Sequence, residues 1–553
     1  MQRFCPAVSL ASLGYSLVRR VSLLALLSAL VALPTIPGAW AQKAIPSAAT
    51  APAAVRSAGD LAADQALALD RKILEESKNG SELMKNLTYL SDMIGPRLTG
   101  SPALKRANDW TAAKMRSYGL SNVHLESWTI PAAWERGSAT ARIVEPDNGR
   151  SLLVAAMGWT PGTKGKVTGE VVIVNATNSK QLATYKGKLR NAIVLQGGPR
   201  PVRPITEKAG PQLWSNMPMR ASKAAPTSGR DGEAPASRNG TAPKQGQDFF
   251  ASFRDFMAFR KEFVEFVKNE GALAVLQDAG KPQGLLTASG GWGGTDRASA
   301  VDSIPSLFVA HEHYALLHRL ASRPAPDRTR VELEVVNKII PGPVVVYNTV
   351  GELPGREKPN EYVILGAHLD SWDLGQGTTD NGTGSMVVLE AARILARSGI
   401  QPRRTIRFVL FSGEEQGLYG SRAYVDQHKD EMARTSMCLC HDTGTGRVLS
   451  IGLHGRKAIK PILEAELVSL KDLGIKELSL RSLPGSDHMS FNQVGVPGFL
   501  FEQNMDEYFL SHHSQSDTLD KAREADLIQG AQAMAITGLR VADLPSLLPR
   551  DGP

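Results

Sequence analysis

The chain has 553 residues, 42% hydrophobic and 6% aromatic, with a formal charge of +8, which supplies enough apolar side chain for more than one core. That mild positive surplus, without a basic run interleaved with aromatics, argues against a nucleic-acid partner. Three cysteines in so long a chain exclude a disulfide framework, so stability must rest on a large core or on bound metal.

Residues 1–41 contain no acid, and Arg3, Arg19 and Arg20 precede an apolar run from Val21 to Leu33 and the small-residue stop Ala39-Trp40-Ala41. This is the pattern of a cleaved export signal, Sec-type or twin-arginine, and predicts a periplasmic or extracellular protein. The apolar run, about 13 residues, is shorter than the roughly 20 needed to span a bilayer, so no stable membrane span is expected. Removing the signal deletes three cations and lowers the formal charge from +8 to about +5. Residues 42–58, rich in Ala, Pro and Ser, read as a linker.

Order is expected from residue 59. Helical periodicity begins near Asp60 and recurs in Ser81–Ile94, a further helix runs over Pro102–Tyr118 and stops at Gly119, and Val123–Ile130 alternates like a strand. From 131 to 336 short strands such as Val167–Val174 and Ala192–Leu195 predict a separate β-rich insert. Inside it, residues 218–247 have almost nothing to bury and are expected to be disordered. Phe249, Phe253, Phe256, Phe263 and Val267 recur at helical spacing, which points to core packing and not to an aromatic ligand box. Between 337 and 553 strands and helices alternate: Tyr362–Leu365, Ser385–Arg397, Thr405–Phe411, then Tyr419–His428. Such alternation implies an α/β domain with a mainly parallel sheet, in which ligands gather at the carboxyl ends of strands.

Ionisable residues cluster at those ends. GAHLDSWDLG offers His368 with Asp370 and Asp373, and GQGTTDNGTG places Asp380 among glycines that let backbone approach an ion. The strand TIRFVLFS ends in Gly413-Glu414-Glu415-Gln416-Gly417. Adjacent carboxylates after a buried strand are costly unless cations offset them, and they suit a division between metal ligation and proton transfer. SMCLCH delivers His441-Asp442, and YFLSHHSQSDTLD supplies His512, His513 and Asp517. Charge counting favours a metal pair: two Zn²⁺ and a hydroxide balance the carboxylates of Asp380, Glu415 and Asp442, with neutral His368 and His513 completing the set. Oxygen and nitrogen ligands without cysteine suit an open catalytic site; Cys438 and Cys440 read as strand residues of the core, not as a disulfide.

The segments IGPRLTGSPALKRANDW, GAHLDSWDLGQG, RRTIRFVLFSGEEQGLYGS and HHSQSDT resemble the M28 family of metallopeptidases. The resemblance implies an α/β fold, a phosphorylase/hydrolase-like mixed sheet flanked by helices, with residues 59–130 and 337–553 forming the peptidase domain. It makes 131–336 a protease-associated-like insert. It implies two Zn²⁺ per subunit, with His368 and Asp442 as terminal ligands of one, Glu415 and His513 of the other, Asp380 as the bridge and Glu414 as general base. His513 is preferred to His512 because the family's last ligand lies four residues before an acid followed by Thr, as His513 does before Asp517-Thr518. Many relatives have Tyr immediately before that ligand; here the position is His512, which leaves His512 and Tyr508 as candidate oxyanion donors. Gly485-Ser486-Asp487-His488 resembles a segment near the substrate pocket, for which a structural role is expected. The implied activity is exopeptidase hydrolysis of small peptides, by an enzyme whose relatives suggest a homodimer and span aminopeptidase and carboxypeptidase specificities. Two other readings share the scaffold: a glutaminyl cyclase, and a non-enzymatic binding protein like the transferrin receptor ectodomain. Five intact ligand positions argue against both.

Overall fold

A computed structural model of the chain describes residues 58–147, 149–202, 258–292, 304–324, 326–506 and 508–550. The expected export signal, the linker up to residue 57, residues 218–247, and Phe249, Phe253 and Phe256 lie outside the described residues. Among the described residues no helix is long and apolar enough to cross a membrane.

The strands, in chain order, are β1 Ser121–Glu135, β2 Ala139–Glu145, β3 Ser151–Leu152, β4 Val154–Ala156, β5 Val167–Val174, β6 Ala192–Gln196, β7 Ala274–Asp278 and β8 Ser306–Val309. They continue as β9 Arg330–Val335, β10 Lys338–Leu353, β11 Lys358–His368, β12 Arg404–Phe411, β13 Thr435–Cys440, β14 Val448–Gly452 and β15 Gly498–Gln503. They form two sheets, one in the order β1-β10-β12-β11-β13-β15-β14 and one in the order β3-β2-β9-β5-β6-β7-β8-β4.

In the first sheet β12 and β13 are buried at every residue, as central strands are when helices cover both faces of a sheet. Helix Thr383–Arg397 is buried from Thr383 to Leu395 and packs with helix Glu524–Asp543 into one core with β11 and β12. Helix Pro102–Tyr118 has the expected punctuation: Ser101 Oγ accepts from Leu104 N–H at 3.2 Å, Pro102 opens the first turn, and Gly119 closes it with φ +93°. Cys438 and Cys440 are free and buried, with Sγ atoms 3.8 Å apart.

The sheet is mixed, as the family resemblance implies and unlike the mainly parallel sheet that the strand–helix alternation alone suggests: β12, β11, β13 and β15 are parallel neighbours, whereas β1, β10 and β14 pair antiparallel. The cause is the arm formed by β1 and β10, paired from Ser121↔Glu352 to Glu135↔Lys338, along which the chain leaves for the second sheet and returns. The region between them builds the eight-stranded second sheet and also carries helices. Its strands β5 to β8 are parallel neighbours, and helices Ser179–Ala183, 258–269 and His311–Ala321 lie between or after them. Phe263 and Val267 on the second of these helices are fully buried against β6 and β7.

Candidate metal centre

The parallel trio β12-β11-β13 ends at one level, with His368 opposite Phe411 and Gly366 opposite Cys440. The chain leaves β11 towards β12 and then crosses to β13, so the residues after these strands line a crevice at the point where the strand order reverses. Into it come His368 at the end of β11, Glu414 and Glu415 after β12, and Asp442 after β13. Asp380 arrives on the loop before helix Thr383–Arg397, and His513 follows helix Tyr508–Ser511.

Asp380 stands between two pairs. Its Oδ1 lies 3.4 Å from His368 Nε2, which is 3.0 Å from Asp442 Oδ1. Its Oδ2 lies 3.3 Å from His513 Nε2, which is 2.8 Å from Glu415 Oε2. Glu414 Oε2 is 3.9 Å from His368 Nε2 and keeps 12% of its side chain exposed, against 1% for Glu415. His512 Nε2 is 3.6 Å from Asp380 Oδ2, and its ring stacks on His513 with centroids 3.7 Å apart. The Tyr508 ring packs 4.9 Å from that of His512 and beside Gly444.

The residues around these side chains set their aim. His368 Nδ1 is 3.0 Å from Asp370 O, which turns Nε2 to the centre. Asp370 accepts from Thr99 Oγ1 at 2.9 Å and from the backbone N–H of Glu414 and Glu415 at 3.3 and 3.4 Å, holding the turn that carries both acids. Asp517 does the same for the Asp380 loop, accepting from Thr379 Oγ1 at 2.9 Å and Asp380 N–H at 3.2 Å. Arg97, fully buried, donates to Leu369 O, Gly95 O, Gln376 O and Gly377 O at 2.6 to 3.0 Å, lacing both metal loops to the amino-terminal part. Gly377 has φ +65°, and a Cβ there would fall 2.2 Å from Ser371 Oγ, so only glycine allows this approach. Asp373 does not join the centre; it pairs with Arg136 at 2.7 Å.

Sequence reasoning assigned no role to Arg97 or Thr99, and the orienting role of Asp517 was missed. Their signals, an arginine in IGPRLTG and an acid after the last histidines, were present but gave no hint of which carbonyls or amides they meet. His441, noted beside Asp442, is buried with neither ring nitrogen bonded, and burial lowers its pKa to about 3. His488 bonds His454 and Leu483 O at 2.9 Å, while both oxygens of buried Asp487 have no hydrogen-bond partner.

Burial is the largest influence on the acids. It raises the Glu414 carboxyl well above the usual range and pushes Glu415 to about 7, reinforced by Asp380. Burial opposes protonation of His513, but Glu415 and Asp380 outweigh it and lift its pKa to about 10. These are the marks of carboxylates crowded without enough positive charge. Asp380 Oδ2 and Glu415 Oε1 are buried with no hydrogen-bond partner, an expensive condition that a cation would relieve. Oxygen and imidazole donors without thiolate fit zinc in a catalytic setting. Among the described residues His368, Asp380 and Asp442 form one group, and Asp380, His512 and His513 another, whose ligand atoms all lie within 4.8 Å of one another.

Residues 348–537 match the sequence profile of Peptidase family M28. Carboxypeptidase Q of Bos taurus is 28% identical over 467 residues, covering 84% of this chain and 86% of its own. The carboxypeptidase Q of Mus musculus is likewise 28% identical, over 84% of this chain and 87% of its own. The crystal structure of a peptidase M28 precursor from Shewanella amazonensis superposes with a TM-score of 0.68 at 24% identity, over 88% of this chain and 98% of its own. A zinc aminopeptidase from Bacillus subtilis gives a TM-score of 0.55 at 20% identity, over 82% and 93%. At such identities the two superpositions speak for the fold.

Proposed function

We propose, from the match of residues 348–537 to Peptidase family M28 and the likeness to carboxypeptidase Q, that this chain is an M28 zinc metallopeptidase, an exported exopeptidase with two zinc ions per subunit, acting on small peptides. His368 and Asp442 would hold one ion, Glu415 and His513 the other, and Asp380 would bridge them. The observation that carries this reading is the position of Asp380, whose two oxygens face two separate histidine–carboxylate pairs. The 2.8 Å approach of Glu415 Oε2 to His513 supports His513 over His512 as the ligand.

Bound zinc supplies Lewis acidity towards the scissile carbonyl and lowers the pKa of water towards neutrality. Glu414, the less buried of the two acids, accepts the proton of the attacking water and returns it to the leaving amine. Asp370 keeps the Glu414 turn in place, and Asp517 and Arg97 keep the Asp380 loop rigid, so the reacting groups meet without reorganisation. Tyr508 and His512, whose rings pack against each other beside His513, are the two candidates for the oxyanion donor.

The test is metal content and turnover together. Purified protein should contain two zinc ions per chain, lose dipeptide hydrolysis on chelation and regain it with zinc. Substituting His513→Gln should lower the zinc count, while His512→Gln should leave it at two. A fully active enzyme containing one zinc would sink the paired-ion reading, and hydrolysis indifferent to chelation would sink the metal mechanism.

A further inference from the structure

The second sheet reaches the metal centre through the segment that follows β7. Ala288 N–H donates to His513 O at 2.8 Å, Leu286 N–H to Gln515 Oε1 at 2.8 Å, and Gln515 Nε2 to Gly284 O at 3.2 Å. Thr287 Oγ1 ties the segment to itself through Ala279 O at 2.8 Å. Inside this brace Lys281 donates from Nζ to Phe509 O at 2.6 Å. Phe509 belongs to helix Tyr508–Ser511, whose Tyr508 O accepts from His512 N–H at 2.7 Å. The ammonium is therefore held beside the turn that presents His512 and His513, where it interacts with the charge of Asp380 and with the His512 ring.

Lys281 has donors to spare. An ammonium carries three N–H groups, and among the described residues its one hydrogen-bond partner is the Phe509 carbonyl. Burial lowers its pKa to about 8, the mark of a cation held from water without a paired anion. Arg97, the other cation buried near the centre, contrasts with it by bonding four backbone carbonyls. One ammonium with free donors, fixed beside an acidic centre by the segment after β7, is chemistry for an anion brought in from outside. A small peptide carries such an anion as a carboxylate, either its free carboxyl end or an acidic side chain.

We infer that Lys281 binds the carboxylate of the peptide substrate, making the enzyme selective for short peptides that present one. This rests on the peptidase reading given above. The zinc-loaded enzyme is assayed on Ala-Ala, on its amide Ala-Ala-NH2 and on Ala-Glu-NH2. A charge-assisted bond of this kind should give Ala-Ala a KM roughly 10-fold or more below that of the amide. Lys281→Met should bring the acid-to-amide KM ratio close to one, and Lys281→Arg should restore much of it. Lys281→Gln, which keeps a donor for Phe509 O without the charge, should behave as Lys281→Met and guards against a folding artefact. Ala-Glu-NH2 sets the breadth of the site: a KM near that of Ala-Ala shows that a side-chain carboxylate is accepted as well as the free carboxyl end, and a KM near that of Ala-Ala-NH2 shows that only the free end is. Calorimetric binding of Ala-Ala to Glu414→Gln should weaken by the same factor when Lys281→Met is added. A wild-type enzyme indifferent to the amide, or a variant that loses acid and amide equally, overturns the inference. Absence of turnover on all three peptides by zinc-loaded wild type removes the peptidase reading itself, and this inference with it.

Discussion

The metal centre and the ion cluster around Arg407 are both buried and rich in carboxylates, yet only the second closes on itself. Arg407 on β12 meets Glu352 and Glu431 at 2.7 Å and Tyr424 Oη at 2.8 Å. His428 bridges Glu431 and Glu126 at 2.9 Å each, and His124 completes the chain 3.0 Å from Glu126. Three acids face one arginine and two histidines. Burial works to raise the Glu126 pKa, but the bonds from His124 and His428 outweigh it and bring it to about 2. Glu415 moves the other way, to about 7, because burial raises it and the Asp380 carboxylate adds to the rise, more than His513 and His368 offset. One cluster leaves a single orphan oxygen, Glu126 Oε2, whereas Asp380, Glu415 and Asp487 all contribute orphans at the centre. A self-neutralising cluster is structural; an acidic excess with unpaired oxygens marks a place for a ligand.

That contrast is open to attack by substitution, and the largest effect is expected at Asp380. Asp380→Ala should abolish stable zinc binding and with it measurable hydrolysis, as elemental analysis and a dipeptide assay would register; retention of both ions would dissolve the contrast. Glu414→Gln should keep both ions while turnover falls by roughly 10²–10⁴-fold, and undiminished turnover would remove Glu414 as the base. Glu126→Gln should leave kcat unaltered and cost about 2 kcal/mol in urea unfolding, since it strands two histidines in a closed network.

The same residue gives a pH test. Its folded pKa of about 2 lies below the ordinary 4.5, so its contribution is present above pH 4.5 and is lost as pH falls towards 2. Wild type should therefore lose stability over that window more steeply than Glu126→Gln, and parallel curves would show that Glu126 is not the cause. At the small end stands Arg142–Glu332, a 2.9 Å pair on the surface of the second sheet. Arg142→Ala should leave the urea midpoint unchanged; a clear shift would show that exposure does not separate the three kinds of pair.

Much of the site was legible before the fold. Glu414-Glu415 follows a buried strand that ends in the apolar run Phe408–Phe411, and two adjacent acids there already require positive charge. The helix Pro102–Tyr118 was readable to the residue from Ser101, Pro102 and Gly119, because caps are local. By contrast the parallel-sheet expectation failed, since strand direction depends on where the chain goes between β1 and β10, over two hundred residues apart in sequence, and not on the pattern within either strand.

Residue type and local order alone determined that acids and histidines would stand at the ends of buried strands, because hydrophobic runs and the turns that end them are short-range features. Only the tertiary structure decided that Asp380 divides its oxygens between two pairs, that Arg97 laces the loops together, and that Lys281 arrives from the other sheet to a carbonyl 228 positions away. Those meetings depend on the packing of one sheet against the other, and no stretch of sequence contains both partners.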